Sequence, residues 1–217
     1  AGKGRLDFAG TSRRSMRSLG EPLEWEWRKK STKPRRIVFL CDISGSMSDY
    51  TQGLLLFLQS AVQSGRRVEA FCFGTRLTRI TRELAQPDVR EAMKKAGEAV
   101  QDWSGGTRIG ESLKEFNDRW GQRGMARGAV IVILSDGWDT GRPEVVAEQV
   151  GRMKRLAHRV VWLNPLKATQ GYQPLVRGMA AALPELDEFL AGNSLAALDA
   201  FLLVLKNADL SRSRVVR

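Results

Sequence analysis

Asp42, Ser44 and Ser46 stand at alternate positions in the run DISGS, and Gly45 lets the chain turn tightly between the two hydroxyls. Alternate residues of an extended loop point the same way, so one carboxylate and two neutral hydroxyls face a common point. An oxygen-only set of this kind suits a hard divalent cation such as Mg²⁺, with water completing an octahedron. The same residues can instead cap a following helix, and the pattern alone leaves that reading open. Two further loops add to the set. Trp103–Ser104–Gly105–Gly106–Thr107 places a hydroxyl after two glycines and before a helix, and Ser135–Asp136–Gly137–Trp138–Asp139 follows an all-apolar run. Thr107 as a helix N-cap and Asp136–Gly137 as an ordinary turn are the structural alternatives. Three such loops in order are hard to explain by capping alone.

These loops need elements that bring them together. Residues 36–41 (RIVFLC), 68–73 (VEAFCF), 128–134 (GAVIVIL) and 159–163 (RVVWL) are short apolar runs, as in strands buried on both faces. Residues 77–81 follow a Gly74–Thr75 turn as an antiparallel edge strand, and residues 186–190 form a last short strand. Helical patterns lie between them at 50–64, 87–101, 108–120 and from Pro143 through Val146, Val150, Met153 and Leu156, with a closing helix at 195–205. Leu23–Glu24–Trp25–Glu26–Trp27 alternates apolar and acidic residues as a short edge strand does, its two Trp packing on the domain. Strands alternating with helices predict an α/β fold, a doubly wound, mostly parallel sheet with helices on both faces. Ligands of such folds bind outside the carboxyl ends of the strands. If the strand ending at Leu134 lies beside the one ending at Cys41, then Asp42, Thr107 and Asp136 meet on one rim.

The 217 residues suit one α/β domain with an arm. The expected division is a basic arm at 1–34, a domain at 35–206 and a basic tail at 207–217. The net charge of +11 is concentrated at the ends: residues 1–36 carry +7, residues 206–217 carry +3, and about +1 remains for the body. Basic ends suit phosphate backbones, acidic proteins or anionic lipid, but no nucleic-acid-binding signature accompanies them, so a solvated arm is the favoured reading and nucleic-acid binding the minor one. The longest apolar runs, five to six residues, fall far short of the roughly 20 that span a bilayer, and no signal peptide is visible. The chain does not begin with methionine, which suggests trimming or a cut from a longer protein. Cys41 and Cys72 both lie in apolar strands and read as buried thiols in a reducing, cytoplasmic compartment.

DISGS, then GGT, then SDG at these separations resemble the metal-ion-dependent adhesion site of von Willebrand factor A (VWA) domains, whose Rossmann-like fold matches the element order above. The resemblance implies that Asp42, Ser44, Ser46, Thr107 and Asp136 hold one divalent cation, with Mg²⁺ the usual occupant and Mn²⁺ or Ca²⁺ possible. It also implies that an acidic side chain of a protein partner supplies the missing ligand. The segments LCDISGSM, FGTRLTRIT, DWSGGTRIGESL, LSDGWDTG, AHRVVWLNPL, GYQPLVRGMAAALP and DEFLAGNSL resemble more closely the CoxE-like subgroup of bacterial VWA proteins, throughout residues 20–205. That subgroup accompanies MoxR-type AAA+ ATPases and is implicated in maturing metalloenzymes, notably the molybdenum–copper centre of carbon monoxide dehydrogenase. Many of its members carry a further N-terminal region, so this chain is expected to be a fragment or a short homologue.

The site so implied performs binding, not turnover. If Asp136 coordinates through water, the cation stays partly uncompensated, and a partner carboxylate gains a strong, directional bond. Its arrival and departure would also let the loops shift between two arrangements. The chain lacks G-x-x-x-x-G-K-[ST] and G-x-S-x-G, and its one histidine, His158, lies at a helix-to-strand junction, read as surface or capping. A Mg²⁺-dependent phosphoesterase is the enzyme alternative, with Asp139 or Asp102 recruited, but such sites add a second carboxylate and a lysine where this chain has Ser. A basic nucleic-acid-associated module is the third reading, recognisable by strong salt dependence. Trp103 and Trp138 flank the metal loops and either frame a partner surface or pack the loops down, packing being favoured for Trp103. Trp120 and Trp162 read as core.

Overall fold

The computed structural model of the chain describes residues 30–65, 67–100, 106–168 and 176–192, with residues 5–6, 11–12, 15–16, 27–28, 173, 201 and 211–215. It divides into two units, 1–34 with 209–217, and 35–208. In the first, Arg5–Leu6 pairs antiparallel with Trp27–Arg28, and Lys30–Pro34 pairs antiparallel with Ser211–Val215. Of the run 23–27, only Trp27 is among the described residues, as a strand residue opposite Leu6; the packing of both tryptophans lies outside them.

The second unit carries a six-stranded sheet. Its elements are β1 (Ile37–Asp42), α1 (Ser48–Gln63), β2 (Val68–Phe73), β3 (Leu77–Arg79), α2 (Thr81–Leu84), α3 (Val89–Ala99), α4 (Ile109–Phe116), β4 (Val130–Leu134), α5 (Pro143–Lys154), β5 (Arg159–Asn164), α6 (Arg177–Ala182) and β6 (Glu188–Ala191). The strand order is β3-β2-β1-β4-β5-β6, with β3 antiparallel to β2 and every other pair parallel. This is the expected mixed α/β fold with one antiparallel strand. Beginning at β1, the chain builds outward to one edge and then returns to lay β4 on the other side. The order therefore reverses between β1 and β4, opening the crevice in which such sheets bind ligands.

All six residues of β1 and all five of β4 are buried, as a central parallel strand covered on both faces requires. Alternation decides which helix each residue meets. Val38, Leu40, Phe71, Phe73, Ile131, Ile133 and Trp162 share one core with Ile109, Leu113 and Phe116 of α4, Val146, Val150 and Met153 of α5, and Met179 of α6. Phe71 meets Phe116 edge-on at 5.4 Å between ring centres. On the other face Phe39 meets Phe57 of α1 in the same way at 5.5 Å. Cys41 and Cys72 face each other across the β1–β2 register as buried free thiols, and burial pushes the Cys72 thiol up to about 12.

Three sequence expectations change. The helix expected at 108–120 is α-helical only to Phe116, then widens into a π-helical stretch, Asn117–Met125. There the Ala126 N–H bonds the Gly121 carbonyl five residues back, and Gly124 at φ +106° breaks the helical conformation inside the stretch. Asn117 lies buried at the junction and donates its Nδ2 to the Gln149 carbonyl (3.0 Å) and side-chain Oε1 (3.1 Å), so a polar anchor to α5 overrides the simple apolar period. The edge strand stops at Arg79, because the Thr81 hydroxyl accepts the Ala70 N–H (3.0 Å) and begins α2. Trp162 is fully buried, whereas Trp120 is half-buried at the margin, 5.0 Å from Phe71 and under the Arg119 guanidinium. The closing helix falls outside the described residues except for Phe201, which is helical and buried.

Candidate metal centre

β1 ends in Asp42, whose side chain is fully buried. Its Oδ1 accepts the Ser44 N–H at 2.9 Å, which bends the chain into the Gly45–Met47 3₁₀ turn that opens α1. That turn holds the Ser44 and Ser46 hydroxyls 3.1 Å apart. Neither Ser44 nor Met47, the residues that precede the turn and α1, makes a side-chain cap. The capping alternative for this loop is therefore not what the fold uses. The other oxygen, Asp42 Oδ2, accepts a 2.6 Å hydrogen bond from the Ser135 hydroxyl, reaching across from the end of β4. Because β4 lies parallel and in register beside β1, with Cys41 opposite Leu134, the residues just past Leu134 must arrive beside Asp42.

Ser135 also accepts the Gly137 N–H at 2.9 Å, and Asp136 Oδ1 accepts the Trp138 N–H at 2.9 Å. Asn164, the last residue of β5, donates its Nδ2 to the Asp136 carbonyl at 3.0 Å. Gly137 sits at φ +86°, where an added Cβ would lie 2.7 Å from Met179 Cβ, so only glycine suits the turn. The third loop is stitched on through its backbone: the Thr140 N–H and hydroxyl both donate to the Thr107 carbonyl, at 2.9 and 2.8 Å. Thr107 does not cap α4. Arg108 holds the N-cap position, and the carboxylate serving the helix is Asp139, whose Oδ1 accepts the N–H groups of Ile109 (2.9 Å) and Gly141 (3.1 Å).

Asp42, Ser44, Thr107 and Asp136 are buried and Ser46 is exposed, on three loops that the Ser135–Asp42, Thr140–Thr107 and Asp139–Ile109 bonds join beyond the ends of β1 and β4. Burial pushes the Asp42 carboxyl up to about 6; hydrogen bonds from Ser135 and Ser44 work the other way, and the Asp136 charge adds to the rise. Among the described residues neither Asp42 nor Asp136 pairs with a Lys or Arg. Nor do three His, Cys, Asp or Glu side chains gather anywhere among them. A cation at this edge would rest on two carboxylates and three hydroxyls, a donor set that fits a hard dication and offers nothing to a soft one.

Ser135 is the site residue that sequence reasoning left without a role. Its signal was its place between the strand end and Asp136, but only the register shows that its hydroxyl reaches Asp42. Asp139, weighed as a catalytic carboxylate, serves as a helix cap. Trp138 is 64% exposed, which decides its reading against packing. Trp103 and Asp102 lie outside the described residues. His158 is exposed, at the turn into β5.

A doubly wound sheet with D-x-S-x-S at its switch point and a threonine and an aspartate on the facing loops defines a VWA domain. The chain belongs to the VWA domain containing CoxE-like protein family, whose model matches residues 1–198. No curated protein matches the chain in sequence. Among solved structures it is similar to a von Willebrand factor type A protein from Catenulispora acidiphila (TM-score 0.57, 14% identity, covering 82% of this chain and 43% of that one). It is also similar to manganese-loaded Plasmodium vivax TRAP protein (0.53, 16%, 88% and 82%). A third is proximal thread matrix protein 1 from the mussel byssus with a zinc-occupied MIDAS motif (0.50, 17%, 86% and 48%). The chain thus spans about half the length of two of the three. At these identities the likeness is one of fold. Among the described residues no helix is long and apolar enough to cross a membrane.

Proposed function

We propose that the chain is a divalent-cation-dependent protein-binding module in which Asp42, Ser44, Ser46, Thr107 and Asp136 hold the ion, Mg²⁺ foremost. The observation that carries the reading is the Ser135 hydroxyl bridge to Asp42, which ties the Asp136 loop to the D-x-S-x-S loop at the one edge where the strand order reverses. Two proteins of the same fold are metal-loaded, one with manganese and one with zinc at its MIDAS motif, and this supports a cation here. When bound, the dication supplies an electrophilic point for a carboxylate of another protein. The chain's own residues orient the donors and exclude water from the inner side. The hydroxyls contribute no charge, and where Asp136 reaches the ion only through water the ion stays partly uncompensated and attracts an acidic ligand.

Binding rather than catalysis is also favoured by the capping duty of Asp139, whose Oδ1 accepts two backbone N–H groups and whose Oδ2 is buried with no hydrogen-bond partner among the described residues. Membership of the CoxE-like family supports a narrower assignment: a cytoplasmic partner of a MoxR-type AAA+ ATPase, acting in maturation of a metalloenzyme such as molybdenum–copper carbon monoxide dehydrogenase. Affinity for the purified ATPase and for the apo-metalloenzyme, measured in Mg²⁺ and in EDTA, tests both levels. Tight binding in Mg²⁺ that EDTA abolishes supports them. Equal affinities would remove the metal-bridged mechanism, and absence of binding to either protein would remove the pathway assignment.

A further inference from the structure

Trp138 is the most exposed large apolar side chain among the described residues of unit 35–208, and it stands two residues from Asp136. Its backbone is held on every side. The Trp138 N–H is fixed to Asp136 Oδ1, Gly137 is fixed to Ser135, and Asn164 holds the Asp136 carbonyl. The start of α6 packs directly against the same loop: a Cβ on Gly178 would lie 2.8 Å from the Gly137 carbonyl oxygen and 3.0 Å from Asp139 Cβ. Met179 fills the space beneath Gly137, so the loop is braced from below while the indole is left in solvent. A solvent-facing tryptophan on a braced loop beside a charged centre is the kind of group that dominates protein interfaces, because the loop beneath it loses little order when it is covered. Three exposed guanidinium residues border the loop, Arg108 after Thr107, Arg142 after Gly141 and Arg177 before Gly178, and so do the carboxylates of Glu111 and Asp139, which lie against Gly141. The arginines and these carboxylates offset one another, so it is the dication that calls for a carboxylate, and the indole calls for an apolar surface.

We propose that Trp138 is the aromatic anchor of the docking rim, receiving an apolar side chain that lies within a few residues of the acidic side chain the partner gives to the cation. The inference rests on the metal-bridged reading above and adds the second half of the recognised motif: an acidic segment of another protein with one bulky apolar residue near its carboxylate. Truncating Trp138 leaves the Asp136 carboxylate in place, since the contact to it comes from the backbone N–H and not from the indole.

The test uses the full chain and labelled 12-residue peptides. Each carries one Asp in an Ala/Ser background, with a Leu or Phe placed in turn at the four positions on either side; the parent peptide has neither. Anisotropy titrations are run with wild type, Trp138→Ala and Trp138→Phe, in Mg²⁺ and in EDTA, and Mn²⁺ affinity is measured for each variant. In Mg²⁺ the best apolar-flanked peptide is expected to bind wild type about tenfold tighter than the parent. Trp138→Ala should erase that difference while keeping the parent's affinity and Mn²⁺ binding, and Trp138→Phe should keep most of it. Mg²⁺-dependent binding that Trp138→Ala leaves untouched would overturn the role of Trp138 alone. Equal binding in Mg²⁺ and EDTA would overturn the metal-bridged reading and this docking mode with it.

Discussion

Two clusters of polar side chains with buried members stand out among the described residues of this domain, and they are finished differently. Between the π-helical stretch and α5, Asn117 donates twice to Gln149, Arg152 donates to Gln149 Oε1 at 2.7 Å, and the same guanidinium pairs with Asp118 at 2.7 Å. The buried groups there, Asn117 and Gln149, are neutral, and the cation beside them meets its anion at the surface. At the β1/β4 edge, two carboxylates and their hydroxyls meet among the described residues without a Lys or Arg partner. Burying unpaired negative charge is unfavourable, and the raised pKa of Asp42 is its signature. A cluster that serves packing closes its own charge. One that serves a ligand leaves the imbalance for the ligand to remove.

The contrast is sharpest for Asp42→Asn. Removing this charge should weaken Mg²⁺ binding by more than the roughly 10–100-fold typical of outer-shell partners, while the metal-free protein is no less stable. Calorimetric titration with thermal unfolding in EDTA checks both; a large loss of metal-free stability would make Asp42 a packing residue and break the comparison. Ser135→Ala should weaken Mg²⁺ or Mn²⁺ binding by about 10–100-fold, because one Asp42 oxygen loses its donor. Ser135→Thr, which keeps the hydroxyl, should restore most of the affinity. If Thr fails while the fold is intact by circular dichroism, the hydroxyl is not what orients Asp42.

Asn117→Ala inverts the pattern. It should cost about 1–3 kcal/mol of stability, by removing two buried hydrogen bonds to Gln149, whose Oε1 keeps only Arg152 as donor, and should leave Mg²⁺ affinity unchanged, as urea unfolding and the same titration would show. The smallest effect is the pH dependence. Folded Asp42 holds its proton up to about pH 6, against 3.8 for the ordinary carboxyl. Over that window the folded state binds more protons than the unfolded one, so this group's contribution to stability is full below about pH 4 and declines as pH rises to 6. A dication competes with that proton. The Mg²⁺-induced rise in melting temperature should therefore be larger at pH 7.5 than at pH 5, by about a few °C. An equal rise at both pH values would place the cation away from Asp42.

The alternation of all-apolar runs with helical stretches was legible because a parallel strand covered on both faces must be apolar throughout; β1, β2, β4 and β5 lie where those runs lie. The helix after Thr107 was legible in its start and not in its end, because Asn117 departs from the helical period to satisfy Gln149, a residue 32 positions away. At the candidate site, Asp42, Ser44 and Ser46 could be read as one group because local spacing directs them. Thr107 and Asp136 could be joined to them only conditionally, on the strand order. The duties of Ser135 and Asp139 were not legible at all, since serine and aspartate two residues from a glycine suit a turn equally well.

Local chemistry, written in the sequence, determined the residue types: oxygen donors at strand ends, apolar runs long enough for single strands, glycine at the turn, and a basic excess at the two ends. Tertiary structure alone decided that β4 lies against β1, that Ser135 meets Asp42, that Asp139 caps α4 and that Trp138 stays in solvent. The reason is that each of these depends on groups tens of residues apart, and only the parallel register of the sheet and the close approach of Gly178 set the distances between them.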